Sequence, residues 1–150
     1  MATTVEQANL TVTIIESIEL NGADYGNTIS TTFATQGKVD QRIMSTATTY
    51  TDVIYTAAAD GRGQVVAADW AYFRITNLDD TNFITLRLYD ATDSQFFKIL
   101  AGKSFVLMSP QIDVDASGTT FNNFENITQI AVDADSAACD IEYVIVTAPE

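Results

Sequence analysis

The fold class is decided by the stretch Trp70-Ala-Tyr-Phe-Arg-Ile-Thr-Asn-Leu-Asp-Asp-Thr-Asn-Phe-Ile-Thr-Leu-Arg-Leu-Tyr-Asp90, with Ser94-Gln-Phe-Phe-Lys-Ile-Leu100 and Ala101-Gly-Lys-Ser-Phe-Val-Leu-Met108 after it. Apolar and polar residues alternate in each segment, and Asn, Asp or Gly occupies each break. Alternation with a period of two is typical of half-buried β-strands, and these residue types favour turns. The stretch therefore predicts an antiparallel meander.

Segments with the same alternation occur along the rest of the chain. Further strands are predicted over 10–20, 28–35, 39–45, 50–57, 127–132 and 139–146, with 64–69 as a short edge strand or loop. Residues 111–126 are polar and predict a long loop. Since no segment keeps a helical period, we expect an all-β protein with little helix. About nine or ten short strands separated by turns indicate a single antiparallel β-sandwich or barrel, with a jelly-roll or Greek-key-like topology.

The length of 150 residues is typical of one domain, which we expect over 9–150 after an N-terminal arm or tail at 1–8. Leu10, Val12 and Ile14 share one face of the first strand, and Ile29 of the second strand is expected to point inward. Glu16 falls on the apolar face of the first strand, which predicts a bulge or kink near Ile15.

Charge and composition exclude several classes of function. The chain has 20 acidic and 7 basic residues, for a net charge of −13, and such a surface repels nucleic acids and anionic membranes. It contains no histidine and a single cysteine, Cys139. The commonest general acid–base side chain is therefore absent, and no disulfide or cysteine-pair zinc site can form within one chain. We expect a non-enzymatic protein without a metal or cofactor. Because the N-terminal residues do not resemble a secretory signal, we expect the protein to be made in the cytoplasm.

Two acidic patterns offer alternatives to that interpretation. Asp113-Val-Asp115-Ala-Ser-Gly118 alternates acids ahead of a glycine, but it lacks the closing glutamate of a calcium loop. A glycosidase needs two carboxylates across a cleft, and nothing in the glutamate spacing selects such a pair. Both patterns are better explained by an acidic surface.

One strand face is a candidate protein interface. If Phe73 and Ile75 point into the core, then Trp70, Tyr72 and Arg74 point out of it. Tryptophan, tyrosine and arginine are the residue types enriched at protein–protein interfaces. These three residues are the predicted interaction site.

The chain resembles small virion proteins of tailed bacteriophages, of the cyanophage and marine-phage type. The resemblance rests on Phe73–Leu88, Phe97–Leu107, Asp140–Thr147, Asn9–Ile14 and Leu20–Gly26, which together are strand and turn patterns. It implies a structural protein on the capsid surface of the virion, most directly a capsid decoration (cement) protein. The implied partners are the major capsid protein and further copies of the chain, since such proteins are often trimers. A tail, neck or fibre component and a carbohydrate-binding host-attachment module remain alternatives.

Overall fold

A computed structural model describes residues 6–57, 64–66, 69–113 and 124–148. Within these ranges every regular element is a β-strand, which confirms the all-β prediction. In chain order the strands are β1 (Ala8–Glu16), β2 (Glu19–Leu20), β3 (Ala23–Asp24), β4 (Asn27–Gln36), β5 (Lys38–Thr46), β6 (Thr51–Ala57), β7 (Gln64–Val66), β8 (Trp70–Asn77), β9 (Ile84–Tyr89), β10 (Ser94–Ile99), β11 (Ser104–Leu107), β12 (Gln111–Ile112), β13 (Glu125–Asn126), β14 (Gln129–Ala134) and β15 (Cys139–Thr147).

Two sheets form the body of the molecule. The four-stranded sheet has the order β11-β8-β15-β5, and the five-stranded sheet has the order β10-β9-β14-β6-β7. Neighbouring strands in both sheets are antiparallel, except that β7 runs parallel to β6 at its edge. The apolar faces of the two sheets share one core, consistent with the predicted sandwich.

The core consists of alternate residues from the central strands. Each of the following side chains is at most 1 % exposed: Phe73, Ile75, Ile84, Leu86, Leu88, Ile130, Val132, Ile141 and Ile145. Fully burying one such side chain contributes roughly 1.5–3 kcal/mol, so this layer is the main stabilising element of the fold. The inward direction of Phe73 and Ile75 on β8 is confirmed.

The predicted meander is wrong, because its strands are divided between the two sheets. β8 pairs with β11 and β15, whereas β9 pairs with β10 and β14. The chain crosses between the sheets after Asn77, a fully buried residue. Its side-chain nitrogen donates to the carbonyl oxygens of Asn82 (2.8 Å) and Ile99 (3.3 Å), and its oxygen accepts from the backbone nitrogen of Asp79 (3.0 Å).

A carboxylate closes the same crossing turn. Asp79 accepts hydrogen bonds from the backbone nitrogens of Asn82 (2.6 Å) and Thr81 (2.8 Å). These two bonds, led by that from Asn82, lower the pKa of Asp79 below its usual value. The Asn-Leu-Asp-Asp-Thr-Asn cluster is thus a turn, as its composition indicates, but it joins two layers rather than two paired strands.

Residues 8–36 form a hairpin outside both sheets, here called the ribbon. β1 pairs with β4, β2 pairs with β3 near the tip, and β4 leads through Gly37 into β5 of the four-stranded sheet. The predicted inward direction of Ile29 is wrong, since its side chain is 52 % exposed. No bulge occurs at Ile15, since the register is regular up to Glu16, where β1 ends and the predicted 10–20 strand is interrupted. The register shift of this pair lies between Ala8 and Leu10.

The predicted long loop contains one short strand pair, β12 with β13. The acidic pattern at 113–118 lies outside the described residues from position 114 onward, as do residues 1–5 of the expected N-terminal arm.

Candidate assembly surfaces

The tip of the ribbon is a tight hairpin that its sequence specifies. Asn21 and Gly22 both have positive φ angles, 53° and 78°, as a type I′ turn requires. Gly26 is required for a different reason, because a Cβ there would lie 2.6 Å from the backbone oxygen of Glu16. Asn21-Gly22 and Gly26 therefore help to fix the register of β1 against β4.

One face of the ribbon is covered by hydroxyl groups. The cross-strand pair Thr11 and Thr32 has its hydroxyl oxygens 3.3 Å apart, and the pair Thr13 and Ser30 has them 2.9 Å apart. Such pairs stabilise a strand pair while leaving its surface polar. This face is suited to contact with water.

The opposite face of the ribbon is apolar. Leu10 pairs with Phe33 and Ile14 pairs with Ile29 across the two strands, with Val12 between them. Ile14 is 45 % exposed and Ile29 is 52 % exposed. Within the described part of the chain, Leu10, Val12 and Phe33 on the same face are half-buried.

Two further exposed apolar side chains lie on β5. Val39 and Ile43 are 66 % and 69 % exposed. One extra residue of β4 between Phe33 and Gln36 interrupts the alternation, so residue numbering does not place Val39 and Ile43 on the same face as Ile29 and Phe33. Leu10, Val12, Ile14, Ile29 and Phe33 together are called the apolar stripe below.

The predicted exposure of Trp70 and Tyr72 is wrong. Trp70 is 1 % exposed and belongs to the core, where its ring meets that of Phe73 edge-on at 6.4 Å. The cause is a register shift: Val146 pairs with Tyr72 but Thr147 pairs with Trp70, so one extra residue of β8 turns the indole inward. Tyr72 lies outside the core cluster but is only 8 % exposed.

Arg74 lies on the outer face of the four-stranded sheet, as predicted, but its charge is already paired. Its guanidinium donates to Glu142 (2.8 Å) and to the hydroxyl of Thr76 (2.7 Å). Glu142 also accepts from the side chain of Gln41 (2.7 Å). The Gln41 and Arg74 hydrogen bonds lower the pKa of Glu142 below its usual value. The predicted interface role of Arg74 remains a prediction.

A second surface feature, which we call the aromatic cluster, consists of Tyr50, Arg87, Tyr89 and Phe96 on the outer face of the five-stranded sheet. The Arg87 guanidinium carbon lies 5.0 Å from the Tyr50 ring centroid and 5.8 Å from that of Tyr89. The rings of Tyr50 and Phe96 are 6.3 Å apart, and these two side chains are 43 % and 56 % exposed. The cluster exposes aromatic rings to solvent, and the Arg87 guanidinium is held against the two tyrosine rings by cation–π contacts.

A polar row extends from the aromatic cluster across three strands. Arg87 donates to Gln129 (2.7 Å), which in turn donates to Asp52 (2.6 Å). Burial, followed by the charge of Asp133, raises the pKa of Tyr50. Among the described residues, Arg87 Nε, Asp133 Oδ1 and the indole nitrogen of Trp70 are buried without a hydrogen-bond partner. Of these three atoms, Arg87 Nε and Asp133 Oδ1 lie on the outer side of the five-stranded sheet.

Sequence reasoning missed both surfaces for identifiable reasons. The ribbon was assigned to the sandwich because its alternation is the same as that of a core strand. The signal that was available is the Asn21-Gly22 turn, with Thr11 and Thr13 at alternate positions before it and Thr28, Ser30 and Thr32 at alternate positions after it. The aromatic cluster joins β9, β10 and the residue before β6, which no sequence spacing brings together.

Other reactive groups are sparse in the described part of the chain. Cys139 is buried, and its burial raises the pKa of its thiol. In the ranges that the structure describes, no three His, Cys, Asp or Glu side chains are grouped so as to hold a metal ion. No helix found there is long and apolar enough to span a bilayer.

No protein-family model matches the chain, and no curated protein matches it. Among solved structures it is similar to a chain described as "Bacillus endospore appendages form a novel family of disulfide-linked pili". The TM-score is 0.46 and the identity 8 %, over 100 % of this chain and 98 % of that chain. A likeness of this size assigns neither a family nor a function.

Proposed function

We propose that this chain is a non-enzymatic structural protein of a tailed-phage virion, a capsid decoration protein that binds the assembled head. The observation that carries a structural role is the apolar stripe. Its exposed members are Ile14 and Ile29, which are 45 % and 52 % exposed. Extended apolar patches on soluble proteins mark interaction sites. The resemblance of strand and turn patterns to small phage virion proteins supports a role in the virion.

The aromatic cluster offers a second contact surface on the other side of the sandwich. Tyrosine, phenylalanine and arginine are enriched at protein interfaces, and Tyr50, Phe96 and Arg87 supply all three types. A decoration protein needs contacts with the shell and with its neighbours. We assign the aromatic cluster to the shell and the apolar stripe to neighbouring subunits.

The stabilising mechanism is mass action. A protein that binds only the closed shell shifts the equilibrium away from opened or ruptured shells by RT ln(1 + [L]/Kd) at each site. No reacting group is required. The net charge of −13 keeps the unassembled protein soluble while many copies accumulate.

The test of this role is the copy number of the chain in purified particles, measured by quantitative mass spectrometry against the major capsid protein. We expect a stoichiometry close to that of a capsid lattice site, and particles lacking the chain should rupture at lower temperature or under milder osmotic shock. A control is the rupture temperature of the same particles after the purified chain is added back.

A few copies per particle would contradict the decoration role and assign the chain to the tail, neck or fibre. Particles without the chain that are as robust as wild-type particles would contradict the stabilising mechanism. Absence of the chain from particles would contradict the virion role altogether.

A carbohydrate-binding attachment module is a second candidate, which the aromatic cluster favours. Exposed Tyr50 and Phe96 rings could stack on sugar rings beside the hydrogen-bonding groups of Arg87, Gln129 and Asp52. We expect Phe96→Ala to abolish any specific signal on a glycan array. Phe124→Ala is the matched control, because Phe124 is also 56 % exposed. An array without signal for the wild-type chain would rule this candidate out.

A further inference from the structure

Of the three arginines that the structure describes, only Arg87 lacks a carboxylate partner. The guanidinium of Arg42 lies 3.1 Å from Asp40, and that of Arg74 lies 2.8 Å from Glu142. Arg87 is half-buried, and among the described residues no carboxylate lies at salt-bridge distance from it. Charged side chains that leave water are usually paired. Arg87 therefore carries an uncompensated positive charge on the surface of an acidic protein.

A chain of hydrogen bonds and ring contacts fixes the position of Arg87. Gln129 donates its amide to Asp52 (2.6 Å), which leaves its side-chain oxygen to accept from Nη2 of Arg87 (2.7 Å). The rings of Tyr50 and Tyr89 lie against the guanidinium, and the hydroxyl of Tyr89 is held by a 2.7 Å bond to a backbone oxygen. A side chain that is ordered in advance loses little conformational entropy on binding.

One nitrogen of this guanidinium is left for a ligand. In the described part of the chain Nη1 of Arg87 donates to no acceptor, and Nε is the atom of this side chain that is buried without a partner. Nη1 therefore reaches solvent. Phe96, directly opposite Arg87 in the β9–β10 pairing, and Tyr50 border it with rings that are 56 % and 43 % exposed. The result is a positioned cationic donor between two exposed aromatic rings.

We propose that Arg87 binds a carboxylate of the partner, the side chain of an aspartate or glutamate in a protein of the shell, while apolar groups beside that residue pack against Tyr50 and Phe96. Carboxylates accept shorter and stronger hydrogen bonds from arginine than neutral oxygens do. Rings that exclude water from such a pair strengthen it further. The inference rests on the proposed structural role and deepens it by naming the group that the aromatic cluster recognises.

The charge of the chain favours a protein over an acidic polysaccharide as the source of the carboxylate. Asp52 adjoins the cluster through Gln129, and the charge of Asp133 acts on Tyr50. Together with the net charge of −13, these acids repel a polymer that carries a carboxylate on many of its sugars. A folded protein can place one carboxylate against Arg87 while its surrounding surface is apolar or basic.

The first experiment measures binding of the purified full chain to particles that lack it, by co-sedimentation over a range of concentrations. Arg87→Gln should weaken binding about 10–100-fold, as removal of an interface arginine commonly does. Arg87→Lys keeps the charge but not the planar guanidinium, so it should recover only part of the affinity. The matched control is Arg42→Gln, which removes the same charge from β5 and should bind as wild type does. Circular dichroism checks that each variant is folded.

The second experiment removes the carboxylates from the particles. Treatment with a carbodiimide and excess glycinamide converts exposed aspartate and glutamate side chains to neutral amides. Wild-type chain should bind amidated particles more weakly than untreated ones, and Arg87→Gln should bind them as well as wild type does. An Arg87→Gln deficit of unchanged size on amidated particles would overturn the proposal, as would wild-type affinity of this variant for untreated particles.

The outcomes separate this inference from the proposed function. A wild-type chain that does not bind the particles would contradict both. Binding that is insensitive to Arg87→Gln and Arg87→Lys would remove the carboxylate contact and leave the decoration role in place. Binding of the wild-type chain, but not of Arg87→Gln, to uronic-acid oligosaccharides on a glycan array would overturn the assignment of the carboxylate to a protein.

Discussion

Replacing Trp70 with alanine is expected to lower the free energy of unfolding by about 3–5 kcal/mol, the usual cost of removing a buried indole. The side chain is 1 % exposed and packs edge-on against Phe73 between the sheets. The loss is a large fraction of the roughly 5–15 kcal/mol that stabilises a typical domain. Urea unfolding followed by circular dichroism measures it as a lower midpoint at an unchanged slope.

Two further variants make the Trp70 result interpretable. Trp70→Phe keeps much of the volume and removes a buried indole nitrogen that has no hydrogen-bond partner, so we expect a much smaller loss than with alanine. Tyr25→Ala, at a side chain that is 64 % exposed, should leave monomer stability nearly unchanged. A Trp70→Ala chain of wild-type stability that failed only in assembly would mean that the indole faces a partner rather than the core.

Replacing Asn77 with aspartate is expected to cost about 3–5 kcal/mol at neutral pH, although the two side chains have nearly the same size. The change removes the donor that bonds Asn82 and Ile99 and turns a carboxylate oxygen toward their two carbonyl oxygens. Each buried group left without its partner costs roughly 1–3 kcal/mol, and a buried charge costs more. Urea midpoints of the variant and wild type give the difference.

The pH dependence of the Asn77→Asp variant separates charge from lost packing. Burial beside carbonyl oxygens should raise the pKa of the new carboxyl above its unfolded value of about 3.9. The folded state then binds the proton more tightly, so the deficit relative to wild type is smallest below pH ~4 and grows as pH rises through the raised pKa. Asn27→Asp is the control, because that exposed side chain only accepts a hydrogen bond, from the backbone nitrogen of Thr28. A deficit independent of pH would contradict the buried-charge explanation.

The aromatic cluster shows how a sheet brings together residues that are distant in sequence. Tyr50 precedes β6, while Arg87 and Phe96 belong to β9 and β10. The strands β9 and β10 are neighbours, and β14 separates β9 from β6. The order of strands in a sheet depends on which edges pair, and that choice follows from packing over the whole domain rather than from local preference.

Local patterns were sufficient for the fold class and for which residues of a strand share a face. Alternation in Phe73–Ile75, Ile84–Leu88 and Ile141–Ile145 identified side chains that are all buried, because a period of two is a property of extended backbone itself. Turn residues could also be identified from the sequence, because their effects are local. Asn21-Gly22 and Asp79 act through backbone conformation and hydrogen bonds within a few residues.

By itself, then, the sequence determined an all-β chain and, on β9 and β15, which residues share a face. Only the tertiary structure decided which strands pair, that the first hairpin leaves the sandwich, and that Trp70 turns into the core. The physical reason is that alternation distinguishes two faces but does not say what covers either one. A core strand and the apolar stripe of the ribbon have the same pattern, and one extra residue in the β8–β15 pairing is enough to reverse the side on which an indole lies.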